Sequence, residues 1–328
     1  MNLMPHDYKK TVWPSGYESY TAFSQLLPVE INVRRFSTLS KPFPKDGLFF
    51  PKVGDRVKTR TLENAAVHLA SSGWKGVNAL DGTAVGKTMI LCGSGRSIIH
   101  TAPLIPKDDD DLIVVAVNGA LKAMPPGSVD MYFTLDWLSN VEWWRGTDVE
   151  AMHPGIKGVI GLSAPSELAS MFKDRYYFAA NFVAAAPEAA DEFSRQHGFL
   201  AECELASHSA MHLAYRMGVT KIILLGHDFA CTPGEGGSYY HWDEVVEKEH
   251  SKGQEFRAVL DMNDKMTVTT DNLIKNCNII NCTAQACAED GITVINATEG
   301  GILAMPLSMP IEMALAYVEE KQGVAFGR

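Results

Sequence analysis

The stretch Thr88-Met89-Ile90-Leu91-Cys92-Gly93-Ser94-Gly95-Arg96-Ser97 decides how the rest of the chain is read. Five residues of strand-like character open it, and a continuous apolar run such as Met89–Cys92 is what a strand buried on both faces of a parallel sheet requires. Gly93 and Gly95 then allow a tight turn and a close approach of backbone to a neighbour or a ligand. A helix starting after Ser97 would turn its positive end toward the same spot. Gly93, Ser94, Gly95, Arg96 and Ser97 are therefore candidate nucleotide-binding residues. The pattern is G-x-G-x-S, and Ile98 stands where the dinucleotide fingerprint has its third glycine.

Further strand-to-loop exits follow, and ligands of open α/β sheets sit outside the carboxyl ends of their strands. Leu112–Val117 runs into Asn118, which either contacts a ligand or caps the next helix. Met131–Leu135 ends at Asp136. Gly158–Leu162 and Tyr176–Ala180 are followed by Ser163 and Asn181. Lys221–Leu225 leads into Gly226-His227-Asp228-Phe229, where Asp228 is placed to accept from a ribose, hold Mg²⁺ or act as a base, or else to cap a helix or serve as a buried polar anchor. Ile292–Asn296 leads to Glu299-Gly300-Gly301. Helices are predicted over 187–197, 206–217, 270–289 and 309–322. Between them, 231–266 combines Pro233-Gly234-Glu235-Gly236-Gly237 with Tyr239-Tyr240-His241-Trp242. Glycine hinges carrying aromatic side chains suit a lid over a substrate, with His241 able to transfer a proton. The same residues also suit a surface loop packed on its own domain.

Residues 1–75 are rich in Pro, aromatic and basic residues, which predicts an irregular extension with a helix near 61–72. Arg34 and Arg35 read as solvated charges or as phosphate contacts. Gly82-Thr83-Ala84-Val85-Gly86-Lys87-Thr88 imitates a P-loop but lacks one residue between its glycines and precedes the strand. The expected fold is α/β, a Rossmann-like, mostly parallel sheet flanked by helices. It spans 76–328, with an irregular N-terminal extension over 1–75 and a lid insertion.

The formal net charge of −10 over 328 residues argues against non-specific binding to nucleic acid or to an anionic membrane. No apolar run approaches the ~20 residues needed to cross a bilayer. Cysteines at 92, 203, 231, 277, 282 and 287 include no C-x-x-C pair. Buried free thiols in a reducing, cytoplasmic setting are the expected reading, and no metal site is expected from them.

In order, the motifs are G-S-G-R-S, V-N-G-A, F-T-L-D, S-H-S-A, I-I-L-L-G-H-D-F-A and I-N-A-T-E-G-G. Over about 86–305 this series resembles the family that joins MptE-like 6-hydroxymethylpterin pyrophosphokinases to the flagellin motility-accessory glycosyltransferases. It is more distantly similar to bacterial CMP-sialic acid transferases. The resemblance implies a Rossmann-like nucleotide-binding transferase. It equates Asn118 with a nucleotide-contacting Asn, Asp228 with the Asp of G-x-D-F, and Tyr239 or Tyr240 with a phosphate-facing Tyr. Arg96 replaces the usual proline of the turn, Ser94 stands at the sialyltransferase Asn, and the catalytic His after the lid has no counterpart.

Three functions follow as expectations. The preferred one is a glycosyltransferase using a CMP- or UDP-linked sugar donor, such as a CMP-linked nonulosonic acid, on an unknown acceptor. Asp228, His241, Tyr239 and Tyr240 would be catalytic. The alternatives are a pyrophosphokinase using ATP and Mg²⁺, with Asp136 and Asp228 on the metal, and a non-catalytic nucleotide-binding module. The extension is expected to serve either an acceptor site or a homo-oligomer contact.

Overall fold

The computed structural model describes residues 7–12, 18–23, 32–39, 54–136, 144, 146–180, 182–201, 205–230 and 256–325. In chain order its strands are β1 (Asp7–Val12), β2 (Glu18–Phe23), β3 (Asn32–Arg34), β4 (Trp74–Gly76), β5 (Thr88–Cys92), β6 (Leu112–Val117) and β7 (Met131–Thr134). They continue as β8 (Lys157–Gly161), β9 (Asp174–Phe178), β10 (Lys221–Leu225), β11 (Phe256–Leu260), β12 (Met266–Thr270) and β13 (Thr293–Asn296). The helices are α1 (Asp55–Ala70), α2 (Ile98–Thr101), α3 (Val149–Met152), α4 (Ser166–Ala169), α5 (Phe182–Ala185), α6 (Pro187–His197), α7 (Ala206–Met217), α8 (Asp271–Glu289) and α9 (Ile311–Ala325).

Eight strands form one sheet in the order β13-β10-β5-β6-β7-β8-β9-β4, and its pairings are parallel. Side-chain alternation sends Met89 and Leu91 of β5 to one face and Ile90 and Cys92 to the other. The first face is covered by α7 and α8, the second by α6 and α9 among others. Burial on both faces is why β5, β6 and β10 read as unbroken apolar runs. From β5 the chain steps outward through β6, β7, β8 and β9, then returns to lay β10 on the other side of β5. The β5–β10 boundary is therefore the topological switch point, where such sheets open a crevice at their carboxyl edge.

The segment that imitates a P-loop has a different task. Gly82 N–H donates to Arg216 O, Ala84 N–H to Met217 O and Gly86 N–H to Gly218 O, at 2.8–3.0 Å. These amides satisfy carbonyls at the end of α7, which a helix leaves without intrahelical donors. They face the helix end and not a phosphate.

The extension departs from the irregular chain that its composition predicts. β1, β2 and β3 pair antiparallel, and Pro14 and Pro28 stand in the sequence between these strands. β4 places Trp74–Gly76 at the edge of the main sheet, so residues on both sides of 75/76 share that sheet. Arg35 is neither a solvated charge nor a phosphate contact. Its Nε donates to Asp290 Oδ1 and its Nη2 to Glu289 O, while the Ser37 amide donates to Asp290 Oδ2. Phe36 is buried beside this bracket, stacked on His212 with ring centroids 4.7 Å apart and tilted to His208 and Tyr215. Val33 packs on Ile279, Cys282 and Ala286 of α8.

α8 is thus covered on several sides, which explains its cysteines. Cys277 and Cys287 lie in the core under the main sheet and Cys282 in the cluster under β3. All three are buried, as is Cys92, and burial pushes the Cys277 thiol up to about 12. Among the described residues no helix is long and apolar enough to cross a membrane.

Replacing Phe36 with Ala removes the aromatic anchor of the extension and is expected to cost about 3 kcal/mol or more in urea unfolding. A loss below about 1 kcal/mol would show that the ring is not needed to hold the extension. A second expectation concerns pH. Burial lowers His227 from 6.5 to about 4 and lowers His212 well below its ordinary value. Both are neutral when folded, so below pH 6.5 the unfolded chain binds more protons than the folded one. Their contribution is full above pH 6.5 and falls as pH drops toward 4, by about 3 kcal/mol from His227 alone. Stability measured by denaturant at pH 7, 5.5 and 4.5 should fall in that order, and a flat profile would contradict it.

Candidate active site

The carboxyl edge of the sheet is built around contacts between the exits of β5 and β10. Gly93 N–H donates to Leu225 O and Gly95 N–H to Gly226 O, both at 2.7 Å. The Asp228 carboxylate reaches back across this seam. Its Oδ2 accepts from the Ser97 amide at 2.9 Å and its Oδ1 from Ser97 Oγ at 2.5 Å, and the Arg96 amide is a further donor. Burial raises the Asp228 pKa, opposed by the Ser97 hydroxyl, the Ser97 and Arg96 amides and the Arg96 charge. Only 6% of Asp228 is exposed, so these bonds replace the water a carboxylate would otherwise need.

The glycines are required by this packing. A Cβ on Gly93 would stand 2.6 Å from Gly226 O, and one on Gly95 would stand 2.4 Å from Asp228 Oδ1. Gly226 lies at φ 65° with its own Cβ position blocked by Gly93 O. The amides of Gly93, Gly95, Arg96 and Ser97 therefore face β10 and its exit. This differs from the open phosphate cradle that the motif suggests, and Asp228 supplies the negative charge at the start of α2. The helix itself is short, passing into a 3-10 turn at Ala102–Leu104.

The β13 exit closes the seam from the other side. Ile302 N–H donates to Asp228 O, and Gly301, at φ 73°, has no room for a Cβ against the same carbonyl. Gly300 approaches Ser97. Glu299 Oε1 accepts from Ile311 N–H at the start of α9, a favourable place for a carboxylate. Asn263, at the tip of the β11–β12 hairpin, donates to Glu299 O, and Thr269 Oγ1 donates to Phe229 O. Part of the expected lid is therefore a hairpin seated on these exits. Tyr239, Tyr240 and His241 lie outside the described residues, as does Asn181.

Cys92 pairs with Ala116, so two residues further on Ser94 and Asn118 leave neighbouring strands at the same level. Asn118 sits at φ 50° and its buried Oδ1 has no hydrogen-bond partner among the described residues. It does not cap the 3-10 turn at Asn118–Ala123. An uncompensated buried amide oxygen is costly. Asp136 is half-buried beyond β7, its amide 3.4 Å from Thr134 Oγ1. Ser163 Oγ donates to Leu135 O and Asn64 of α1 to Ser163 O, which brings α1 to the exits of β7 and β8.

Left-handed backbone at non-glycine residues recurs along this edge, at Asn118, Ala180, Phe229 and Glu299. Such strain gathers at functional sites. Ala180 and Phe229 carry no sequence signal for it, because neither residue type favours that region. The seam brings Gly93, Gly95, Arg96, Ser97, Gly226, Asp228, Gly300 and Gly301 together. The paired strand ends set Ser94, Asn118 and Asp136 along its β6–β7 flank. Among the described residues no group of three or more His, Cys, Asp or Glu is placed to hold a metal ion.

Known proteins share this architecture. The structure of MAf glycosyltransferase from Magnetospirillum magneticum AMB-1 superposes with a TM-score of 0.54 at 12% sequence identity. The match covers 84% of this chain and 42% of that one, so this chain spans less than half the length of that protein. At this identity the likeness is one of fold. No curated protein matches the sequence. The family described as 6-hydroxymethylpterin diphosphokinase MptE-like matches residues 60–234, from α1 through the β10 exit and Asp228. That is more than half of the chain and includes the whole β5–β10 seam, and the chain belongs to this MptE-like family.

Proposed function

We propose that the chain is a glycosyltransferase that moves a sugar from a nucleotide-activated donor, CMP- or UDP-linked, to an acceptor hydroxyl. The observation that carries the reading is Asn118. Its backbone is left-handed, and its buried side-chain oxygen has no donor among the described residues at the β6 exit, beside the β5 turn. An N–H of a base or an O–H of a ribose would satisfy it. The fold likeness to a MAf glycosyltransferase supports the transfer chemistry.

In this reading Arg96 and Tyr239 or Tyr240 stabilise the departing phosphate, where negative charge develops as the glycosidic bond breaks. His241 takes the proton of the acceptor hydroxyl. Asp228 is assigned to holding the turn, because its two oxygens already accept from Ser97. That assignment also separates this function from the pyrophosphokinase suggested by the family description. Mg-ATP chemistry would draw on Asp136 and Asp228 as metal ligands, and Asp228 is buried and bonded elsewhere.

Calorimetric titration with CMP, UDP, ADP and ATP, each with and without Mg²⁺, tests the choice. Metal-independent binding of CMP or UDP is expected, followed by turnover of a CMP- or UDP-linked sugar. Binding of ATP alone, and only with Mg²⁺, would replace this function with pyrophosphoryl transfer. Binding without turnover of any donor would leave a nucleotide-binding module. Asn118→Gly keeps the left-handed backbone but removes the oxygen, so nucleotide affinity should fall about tenfold while thermal stability does not. Equal affinity in the variant would remove Asn118 from the site. Asp228→Ala strands the Ser97 and Arg96 donors and is expected to destabilise the protein by about 1–3 kcal/mol in urea unfolding. An unchanged midpoint would refute the structural role given to Asp228.

A further inference from the structure

Two motifs in the sequence have no part in the chemistry above, S-H-S-A at 207–210 and the histidine of G-H-D-F, and the fold joins them. Ser207, in the first turn of α7, lies 2.9 Å through its Oγ from His227 Nε2. The other imidazole nitrogen, Nδ1, lies 2.9 Å from Leu225 O. A carbonyl oxygen can only accept, so Nδ1 carries the proton, Nε2 is the acceptor and the Ser207 hydroxyl donates. Leu225 O is also the acceptor for Gly93 N–H, so the imidazole and the glycine turn converge on one carbonyl. The ring packs on Gly93, where a Cβ would come within 3.2 Å of His227 Cε1. The His227 amide donates to Thr298 Oγ1 after β13. His227 stands between left-handed Gly226 and Asp228, and only 4% of it is exposed.

We infer that His227 is a positioning residue for the candidate nucleotide site. Held as the Nδ1–H tautomer by Leu225 O and oriented by the Ser207 hydroxyl, it fixes the direction in which Asp228 leaves β10 and thereby the shape of the Gly93–Ser97 turn. The inference rests on the reading that this turn borders the nucleotide. Burial keeps the ring neutral across the physiological range. The link from α7 to the turn runs Ser207, His227, Asp228, Ser97, with a hydrogen bond or a peptide bond at each step.

The test is Ser207→Ala with Ser207→Thr as the conservative control, compared by amide hydrogen exchange without ligand. Ser207→Ala should speed exchange of the Gly95 and Ser97 amides at least tenfold and leave Ile90 and Leu91 within β5 unchanged, and Ser207→Thr should restore protection. CMP or UDP should then bind Ser207→Ala at least fivefold more weakly, at an unchanged Asn118 contribution in a double-mutant cycle. Turn amides that exchange as in the wild type, or acceleration spread evenly over β5 and β10, would overturn the inference. Exchange is read without nucleotide, so a wild-type protein that binds no nucleotide defeats the function proposed above and leaves this test standing. If Ser207→Ala does not fold, the ¹⁵N signature of His227 in the wild type decides. A neutral ring protonated on Nδ1 is expected, and protonation on Nε2 would refute the arrangement.

Discussion

The hydrogen bonds from Ser97 to the Asp228 carboxylate hold the carboxyl edge of this sheet together. They cross the switch point, where chain segments leaving β5 and β10 diverge and a doubly wound sheet would otherwise part. A buried carboxylate persists only with its lone pairs occupied, so Ser97 and Arg96 cannot change position without exposing an uncompensated charge. Gly95 and Gly301 follow from the same bracket, because a side chain at either would strike Asp228, while Gly93 and Gly226 are held to glycine by each other's backbone. An internal carboxylate thus stands where related folds present their turn to a ligand anion. In the function proposed above, ligand recognition falls to groups whose hydrogen-bonding capacity is left open among the described residues, Asn118 first among them.

The second organising contact lies far from the crevice. Every residue of α8 from Cys277 to Ala284 is buried, with Ala286 and Cys287 beyond them, so this stretch is covered on more than one face. The main sheet and α7 cover one side, and the extension covers another through Val33, Phe36 and the Arg35–Asp290 pair. A paired carboxylate with no exposed side-chain surface is stabilised here by Arg35 together with the Ser37 amide and hydroxyl. Ser207 and His208 of α7 then face two ways, one toward His227 at the crevice and the other toward Thr283 of α8. The extension, the buried helix and the site are neighbours through α7.

The histidines show how burial changes what a residue type means. His68, His212 and His227 each have hydrogen-bond or ring partners inside the protein, and their pKa values lie below the ordinary one. In a sequence each is a candidate acid or base. In the fold they are neutral polar fillers with a fixed tautomer, useful for joining elements and not for exchanging protons with a substrate.

Periodicity alone determined the parallel sheet. β5, β6, β10 and β13 are legible as short apolar runs because both faces of the sheet are covered, and α6 and α7 are legible from their amphipathic spacing and from Gly198 and Gly218 beyond their ends. The positions of the strand exits, and so the neighbourhood of the site, follow from those runs. Tertiary structure decided the rest, because hydrogen-bond partners distant in sequence leave no local pattern. Nothing near Asp228 announces that Ser97, 131 residues earlier, will take its carboxylate, or that Glu299 will cap a helix. The extension's strands were hidden by prolines that fall between them, and Arg35 looked solvated because Asp290 is 255 residues away. Sequence named the residues at the edge of the sheet; only packing determined which of them face one another and which are left facing the crevice.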